Sequence, residues 1–301
     1  MMAALSPPFS GSLNSLSLVA NTFVHCVPLF SLALLKTIPI ASLQKICTHG
    51  STKIGESWIA VNSHMLDITH RTQYNITGEL DHIDYNGWYM VIANHQSWAD
   101  IFILQKIFNR HAPFLKFFLK QELIYVPVMG LCWAALDFPF MKRYSKEFIA
   151  KNPQLKGKDL ETTRKACEKF KYTPVSVMNF LEGTRFTPQK HQRQQSPYKH
   201  LLKPKSAGMA YALSVMGERI DTLIDVTIHY PNGRPNFWEF MSGKSHQVNI
   251  HIQTRPIPAE FHRGDYENDP EFRKTFQSWI NQLWQDKDQK LEQYCIVSSE
   301  Q

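Results

Sequence analysis

The run Trp88-Tyr89-Met90-Val91-Ile92-Ala93-Asn94-His95-Gln96-Ser97-Trp98-Ala99-Asp100 decides how the rest of the chain is read. Its first six residues are apolar or aromatic without a break, the composition of a strand buried on both faces. Asn94 ends that run, and Ile101-Phe102-Ile103-Leu104 resumes apolar character after Asp100. A histidine at a strand end, with a carboxylate five residues on, is a candidate oriented base. In that reading Asp100 holds one ring nitrogen of His95 while the other faces a hydroxyl. Ser97-x-x-Asp100 also has the form of a capping box, so the same aspartate reads as a tie at a helix end.

Outward from this stretch, strand-like and helix-like segments alternate. Residues 74–78, 114–118, 136–141, 175–180 and 223–230 have strand composition, and Asn86-Gly87 marks a turn into the strand at Trp88. Residues 248–252 alternate with period two, as an edge or half-buried strand does. Residues 126–135 are apolar but too short to span a bilayer, and read as a core helix. Helices are also expected over 159–170, with Asp159 as N-cap, and over 206–216. At the end, Asp269-Pro270 opens a helix with Phe272, Phe276, Ile280, Leu283 and Leu291 on one face. This order predicts an α/β layer fold with functional residues at the carboxyl ends of strands.

The chain is 301 residues long, 43% hydrophobic and 12% aromatic, which excludes a disordered protein. The 33 Lys and Arg outnumber the 26 Asp and Glu by +7. Such a balance suits anionic partners without choosing among phospholipid, phosphorylated substrates and nucleic acid. The five cysteines are scattered and none has metal-ligand spacing, so neither a disulfide framework nor a metal site is expected, and a reducing compartment is.

The first 35 residues contain no Asp, Glu, Lys or Arg, and residues 13–35 are mostly apolar, about the ~20 residues a spanning helix needs. Lys36, Lys45 and Lys53 follow the apolar stretch, which argues against a secretory signal and for a cytosolic domain behind it. Asn14, Asn21, His25 and Pro28 interrupt the span, and Pro28 is expected to break or kink a helix. Residues 1–46 are therefore expected to be a membrane anchor, either one transmembrane helix or a re-entrant or interfacial pair near 12–27 and 29–46, with a buried amphipathic arm as the alternative. Residues 47–301 follow as the α/β domain.

A second constellation lies at Glu182-Gly183-Thr184-Arg185, directly after a strand. Gly183 lets backbone approach a ligand, Arg185 can grip a phosphate through its planar fork, and Thr184 adds a hydroxyl. Glu182 cannot bind phosphate and is expected to position an arginine or the turn; a Glu–Arg salt bridge is the plain alternative. Arg143, at the end of another strand, is a further phosphate candidate or a solvated arginine. From Arg185 to Lys205 there are six Lys or Arg and no Asp or Glu, either a solvated loop or a polybasic lip for anionic groups.

Taken in order, these motifs resemble the 1-acylglycerol-3-phosphate acyltransferase (PlsC-like) group of glycerolipid acyltransferases. The carrying residues are Asn94-His95-Gln96-Ser97-Trp98-Ala99-Asp100, then Phe138-Pro139-Phe140-Met141-Lys142-Arg143, then Asn179-Phe180-Leu181-Glu182-Gly183-Thr184-Arg185, with Lys120, Pro127 and Gly130 spaced like the family's second block. The resemblance spans about residues 85–235. Leu181 replaces the proline the family often has before the glutamate, and residues 224–230 lack the usual strand proline. These departures, with Lys203-Pro204-Lys205, are more like the YihG-type bacterial and lysocardiolipin acyltransferase-like branches.

The resemblance implies a single domain with a central mixed sheet flanked by helices, behind a membrane-embedded helical segment. It implies direct transfer of an acyl chain from acyl-CoA or acyl-carrier protein to a lysophospholipid hydroxyl, with lysophosphatidic acid the first candidate and lysophosphatidylglycerol or lysocardiolipin types the alternatives. His95 is then the base and Asp100 its orienting group. Lys120, Arg143, Glu182, Gly183, Thr184 and Arg185 bind substrate, with no metal and no cofactor beyond the acyl donor. The implied location is the cytoplasmic side of a bacterial inner membrane. A serine hydrolase is excluded because Ser97 lacks a G-x-S-x-G elbow. Two other classes stay open: a non-catalytic membrane adaptor that binds an anionic partner through the basic loop, against which the His95–Asp100 pair argues, and a nucleic-acid-binding protein, which no motif supports.

Overall fold

The computed structural model describes residues 6–70, 72–141 and 173–299, together with Glu161, Cys167 and Phe170. Eight strands are ordered through it: β1 (Gln73–Gly78), β2 (Trp88–Ala93), β3 (Leu115–Phe117), β4 (Leu119–Lys120), β5 (Phe140–Met141), β6 (Val175–Phe180), β7 (Thr222–His229) and β8 (Gln247–Pro256). Six of them form one sheet in the order β1-β8-β7-β2-β6-β3, and β4 pairs with β5 apart from it. β7, β2, β6 and β3 are parallel, β8 is antiparallel to β7, and β1 is parallel to β8. The sheet is mixed, as expected.

β2 lies inside the sheet with parallel partners on both sides, and Met90, Val91, Ile92 and Ala93 are completely buried. Alternation along the strand divides them. Val91 and Ala93 turn to the face covered by helix α3 (Ala99–Phe108), where Ile103, Leu104 and Phe108 pack. Met90 and Ile92 turn to the other face, covered by two helices beyond β6. The first, Ala207–Met216, contributes Met209 and Leu213; the second, Pro270–Ser299, contributes Phe276, Ile280 and Trp284. Asp269 caps the terminal helix, accepting the N–H groups of Glu271 and Phe272, each at 3.0 Å.

Several sequence expectations are corrected. The apolar run at 126–135 gives only a short helix, α4 (Met129–Ala135), and Val126 and Leu131 are exposed instead of forming core. The strand expected over 136–141 shrinks to β5, because Asp137 adopts a positive φ of 57° that extended backbone cannot continue. The segment at 248–252 is a strand as expected, and of its two readings, edge or half-buried, the edge is excluded because β1 pairs with it on its outer side. The helix expected over 159–170 lies outside the described residues, Glu161, Cys167 and Phe170 excepted.

The N-terminal region forms an antiparallel helix hairpin, α1 (Pro7–Leu35) and α2 (Ala41–Thr69). α2 runs through residues 46 and 47. Pro28 lies inside α1 without ending it, flanked by Cys26 and Leu29, which pack against α4. The polar residues that interrupt the apolar run point inward. Asn21 Nδ2 donates to Asn62 Oδ1 (2.8 Å) and Trp58 O (3.0 Å), and His25 Nε2 lies 3.1 Å from Ser57 Oγ. Leu16, Val19, Phe23, Val27 and Leu34 are each more than half exposed. α1 is thus inverted relative to a soluble helix, polar toward its partner and apolar outward, the pattern of helices facing lipid. It also touches the α/β part near both ends: Asn14 Nδ2 donates to Met241 O at 2.9 Å, and Lys36 pairs with Asp137. It therefore lies along the domain.

Candidate active site

The parallel strands β2, β6 and β7 end side by side, and the turns that leave them are bonded into one unit. Asn94, first after β2, donates its amide to Ile228 O and accepts from Ile228 N, both at 2.8 Å, continuing the ladder with a side chain. His95 follows. Its Nδ1 lies 2.9 Å from Asp100 Oδ2. The same oxygen accepts the backbone N–H groups of Gln96 (2.6 Å) and Ser97 (2.9 Å), and Oδ1 accepts the Tyr230 hydroxyl at 2.5 Å. Capping and orientation are therefore done by the same carboxylate.

Asp100 is completely buried, and these four donors compensate for holding it there. With Nδ1 donating to the aspartate, the lone pair of the neutral ring falls on Nε2. Nε2 has no partner among the described residues, and the side chain is 13% exposed, enough for a small group to reach it. The ring is held flat by Phe180, stacked at 4.0 Å and 14°. Ser97 is engaged otherwise: its hydroxyl donates to Pro235 O and accepts from Ala99 N at 3.1 Å.

Glu182 corrects the sequence reading. It positions neither an arginine nor only its own turn. Its Oε1 accepts the backbone N–H of His95 at 2.8 Å and its Oε2 that of Leu202 at 3.1 Å. Burial pushes its carboxyl up to about 8, although both N–H donors pull the other way. Gly183 supplies the turn with φ 68°. Phe186 N then donates to His95 O at 2.8 Å, so the histidine turn and the Glu182–Arg185 turn are joined at both main-chain groups of His95.

Thr184 Oγ1 accepts from Lys190 Nζ at 2.8 Å. The exposed Arg185 guanidinium lies 4.8 Å from the Trp98 ring center, and no Glu182–Arg185 salt bridge forms. Lys120 stands exposed on β4, and no bond joins it to this cluster among the described residues. Arg143 lies outside the described residues. The basic stretch is less free than its composition suggests, since Lys199 pairs with Glu292 at 2.7 Å and Lys190 folds onto Thr184 and Arg185 O.

Two cavities flank the His95 turn. One, of about 270 Å³, is apolar and lies between the hairpin and α3, with Cys26, Trp58, Trp98, Phe102, Trp133 and Phe138 in its wall. The other, of about 420 Å³, is the more polar of the two and includes Gln96, His229, Tyr230 and Arg234 beside Ile228 and Leu291. Reasoning from the sequence missed Tyr230 and Phe180. The available signal was positional: Tyr230 follows β7 as Asn94 follows the adjacent β2, and Phe180 ends β6 two residues before Glu182.

The family model described as Acyltransferase matches residues 71–229. The 1-acyl-sn-glycerol-3-phosphate acyltransferase delta of Mus musculus is 26% identical over 184 residues, 58% of this chain and 44% of that one. The delta protein of Homo sapiens is 24% identical over 218 residues, covering 68% and 52%. The gamma protein of Homo sapiens is 25% identical over 186 residues, covering 58% and 44%. The chain spans about half the length of these curated relatives. The crystal structure of the 1-acyl-sn-glycerophosphate (LPA) acyltransferase PlsC from Thermotoga maritima superposes with a TM-score of 0.48 at 16% identity, covering 92% of this chain and 97% of that one.

Proposed function

The chain belongs to the acyltransferase family, and we propose that it moves an acyl chain from acyl-CoA or acyl-carrier protein to the free hydroxyl of a lysophospholipid. Lysophosphatidic acid is the first acceptor in this reading, in keeping with the names of the relatives, with phosphatidic acid as product. The observation that carries the proposal is the His95–Asp100 pair, with Nδ1 committed to a buried carboxylate and Nε2 left open. Nε2 takes the acceptor's hydroxyl proton as its oxygen attacks the thioester carbonyl. The new C–O bond forms, the C–S bond breaks, and the proton passes from the imidazolium to the departing thiolate. Asp100 stabilises the imidazolium in between.

Arg185 suits the acceptor phosphate, because it stands over Trp98 where that ring enters the wall of the apolar cavity. Thr184 keeps its own O–H for donation. Lys120 and Arg143 enter as substrate-binding residues on the family resemblance alone. The apolar cavity takes an acyl chain. The outward face of α1 lies in the lipid interface, with the hairpin parallel to the membrane plane, since α1 is held along the domain. The cytoplasmic side of a bacterial inner membrane enters this reading on the family resemblance alone.

The test is transfer of labelled acyl chains from acyl-CoA to a panel of lysolipids by the full chain in detergent. Transfer is expected with lysophosphatidic acid, with His95→Ala slower by ~10²–10⁴-fold. No transfer to any lysolipid, or full activity in His95→Ala, overturns the proposal.

A further inference from the structure

A second guanidinium stands on the loop that is bonded to the His95 turn. Arg234 lies in the loop after β7, outside every motif that the sequence singles out. Its guanidinium sits 4.0 Å from the center of the Phe186 ring, and Phe186 donates its N–H to His95 O. The loop is tied to the histidine turn again through Ser97, whose hydroxyl donates to Pro235 O. Arg234 is thus positioned by the two residues on either side of it in space and sequence. Among the described residues it makes no ion pair.

The arrangement parallels Arg185 over Trp98. Both cations rest on aromatic faces, which leaves the edges of their planar forks available for a bidentate anion. They stand on different walls. Trp98 belongs to the apolar cavity, whereas Arg234 belongs to the polar one. That polar cavity adjoins the base: Gln96 follows His95, and Tyr230 donates to Asp100. The acidic groups near it are already occupied. Both Asp100 oxygens accept hydrogen bonds, and Glu292 is paired with Lys199 and His200. Glu182 and Asp100 lie close enough to act on Arg234 electrostatically, but Glu182 accepts from His95 N and Leu202 N, so neither carboxylate pairs directly with the guanidinium.

We propose that Arg234 and the polar cavity form a second phosphate subsite, distinct from Arg185. It takes a phosphate group from one of the two substrates, either the acceptor headgroup or the nucleotide end of an acyl-CoA donor. This rests on the acyl-transfer reading, in which two anionic substrates meet over His95. Two separated cations let both bind without placing like charges together.

The experiment compares wild type, Arg234→Gln and Arg234→Lys as full chains in detergent. Four substrates are used: lysophosphatidic acid and phosphate-free monoacylglycerol as acceptors, palmitoyl-CoA and phosphate-free palmitoyl-pantetheine as donors. Arg234→Gln is expected to raise KM about tenfold or more for one phosphate-bearing substrate, the loss of a charge-assisted contact, with Arg234→Lys recovering part of it. Collapse of the preference for palmitoyl-CoA over palmitoyl-pantetheine identifies the donor as the source. Collapse of the preference for lysophosphatidic acid over monoacylglycerol identifies the acceptor. Unchanged KM values and preferences, or a fall in kcat alone together with a lower Tm, overturn the subsite. Inorganic pyrophosphate gives a reading without turnover: the Tm rise it causes in wild type should be smaller in Arg234→Gln, and smaller again when Arg185→Gln is added to it. If wild type transfers nothing yet this shift depends on Arg234, the acyl-transfer reading falls and the subsite stands. An equal shift in Arg234→Gln removes the subsite whatever the activity.

Discussion

The Glu182 carboxylate accepts the backbone N–H of His95 at 2.8 Å, so the acidic residue of one motif holds the main chain of the other motif's histidine. Burial pushes that carboxyl up to about 8 from an ordinary 4.5. Between those values the folded chain keeps a proton that the unfolded chain has released. Stability therefore falls as pH rises through that window, by at most about 1.4 kcal/mol per pH unit. Thermal unfolding across the window should show a declining Tm for wild type and a flatter curve for Glu182→Gln. The variant should also be less active, because an amide can accept from only one of the two N–H donors. Identical pH slopes in the two proteins would refute this account of Glu182.

Tyr230→Phe removes the hydroxyl that meets Asp100 Oδ1 and leaves a buried carboxylate one donor short. The expected loss is about 1–3 kcal/mol of stability. kcat should fall too, but by less than in His95→Ala, since Nδ1 keeps its bond to Oδ2. Steady-state kinetics and denaturant unfolding check both. A Tyr230→Phe enzyme as inactive as His95→Ala would mean that the tyrosine touches the reacting groups itself.

The two faces of α1 should respond oppositely. Leu16, Phe23 and Val27 point outward, so replacing all three with Asp should weaken binding to lipid vesicles about tenfold or more while barely moving the Tm in detergent. Asn21→Ala should leave vesicle binding intact and lower the Tm, because Asn62 Oδ1 and Trp58 O lose their shared donor. Vesicle co-sedimentation beside thermal unfolding separates the two effects. Unchanged vesicle binding in the triple variant would remove the outward face from the membrane contact.

Ile101 borders the apolar cavity near Trp98 and Phe102. Ile101→Trp should shift the acyl preference toward shorter chains, read as a change in relative kcat/KM across a series of acyl-CoA donors. An unaltered chain-length profile would show that the acyl chain lies elsewhere.

Much of the fold could be read from local pattern. The continuous apolar run before Asn94 marked a strand buried on both faces, and parallel partners on each side are what bury it. Weak pattern failed where a distant segment set the outcome. Residues 248–252 alternate as an edge or half-buried strand does, and only β1, far away in sequence, decides against the edge by covering it. Asn14 and Asn21 look like flaws in a membrane span because their partners, Met241 and Asn62, become neighbors only when the chain folds back.

By itself the sequence determined the chemistry within reach of one turn. The five-residue step from His95 to Asp100 is short enough for a strand end and a first helical turn to bring the two side chains together, and Gly183 permits the positive φ of the second turn. Tertiary structure decided what surrounds that pair. Tyr230 reaches Asp100 across 130 positions, and Glu182 reaches the His95 amide across 87, because parallel strands end at the same edge of the sheet. Arg234 joins them for the same reason. Sheet order brings their strand ends together, and that order depends on contacts made only as the core forms.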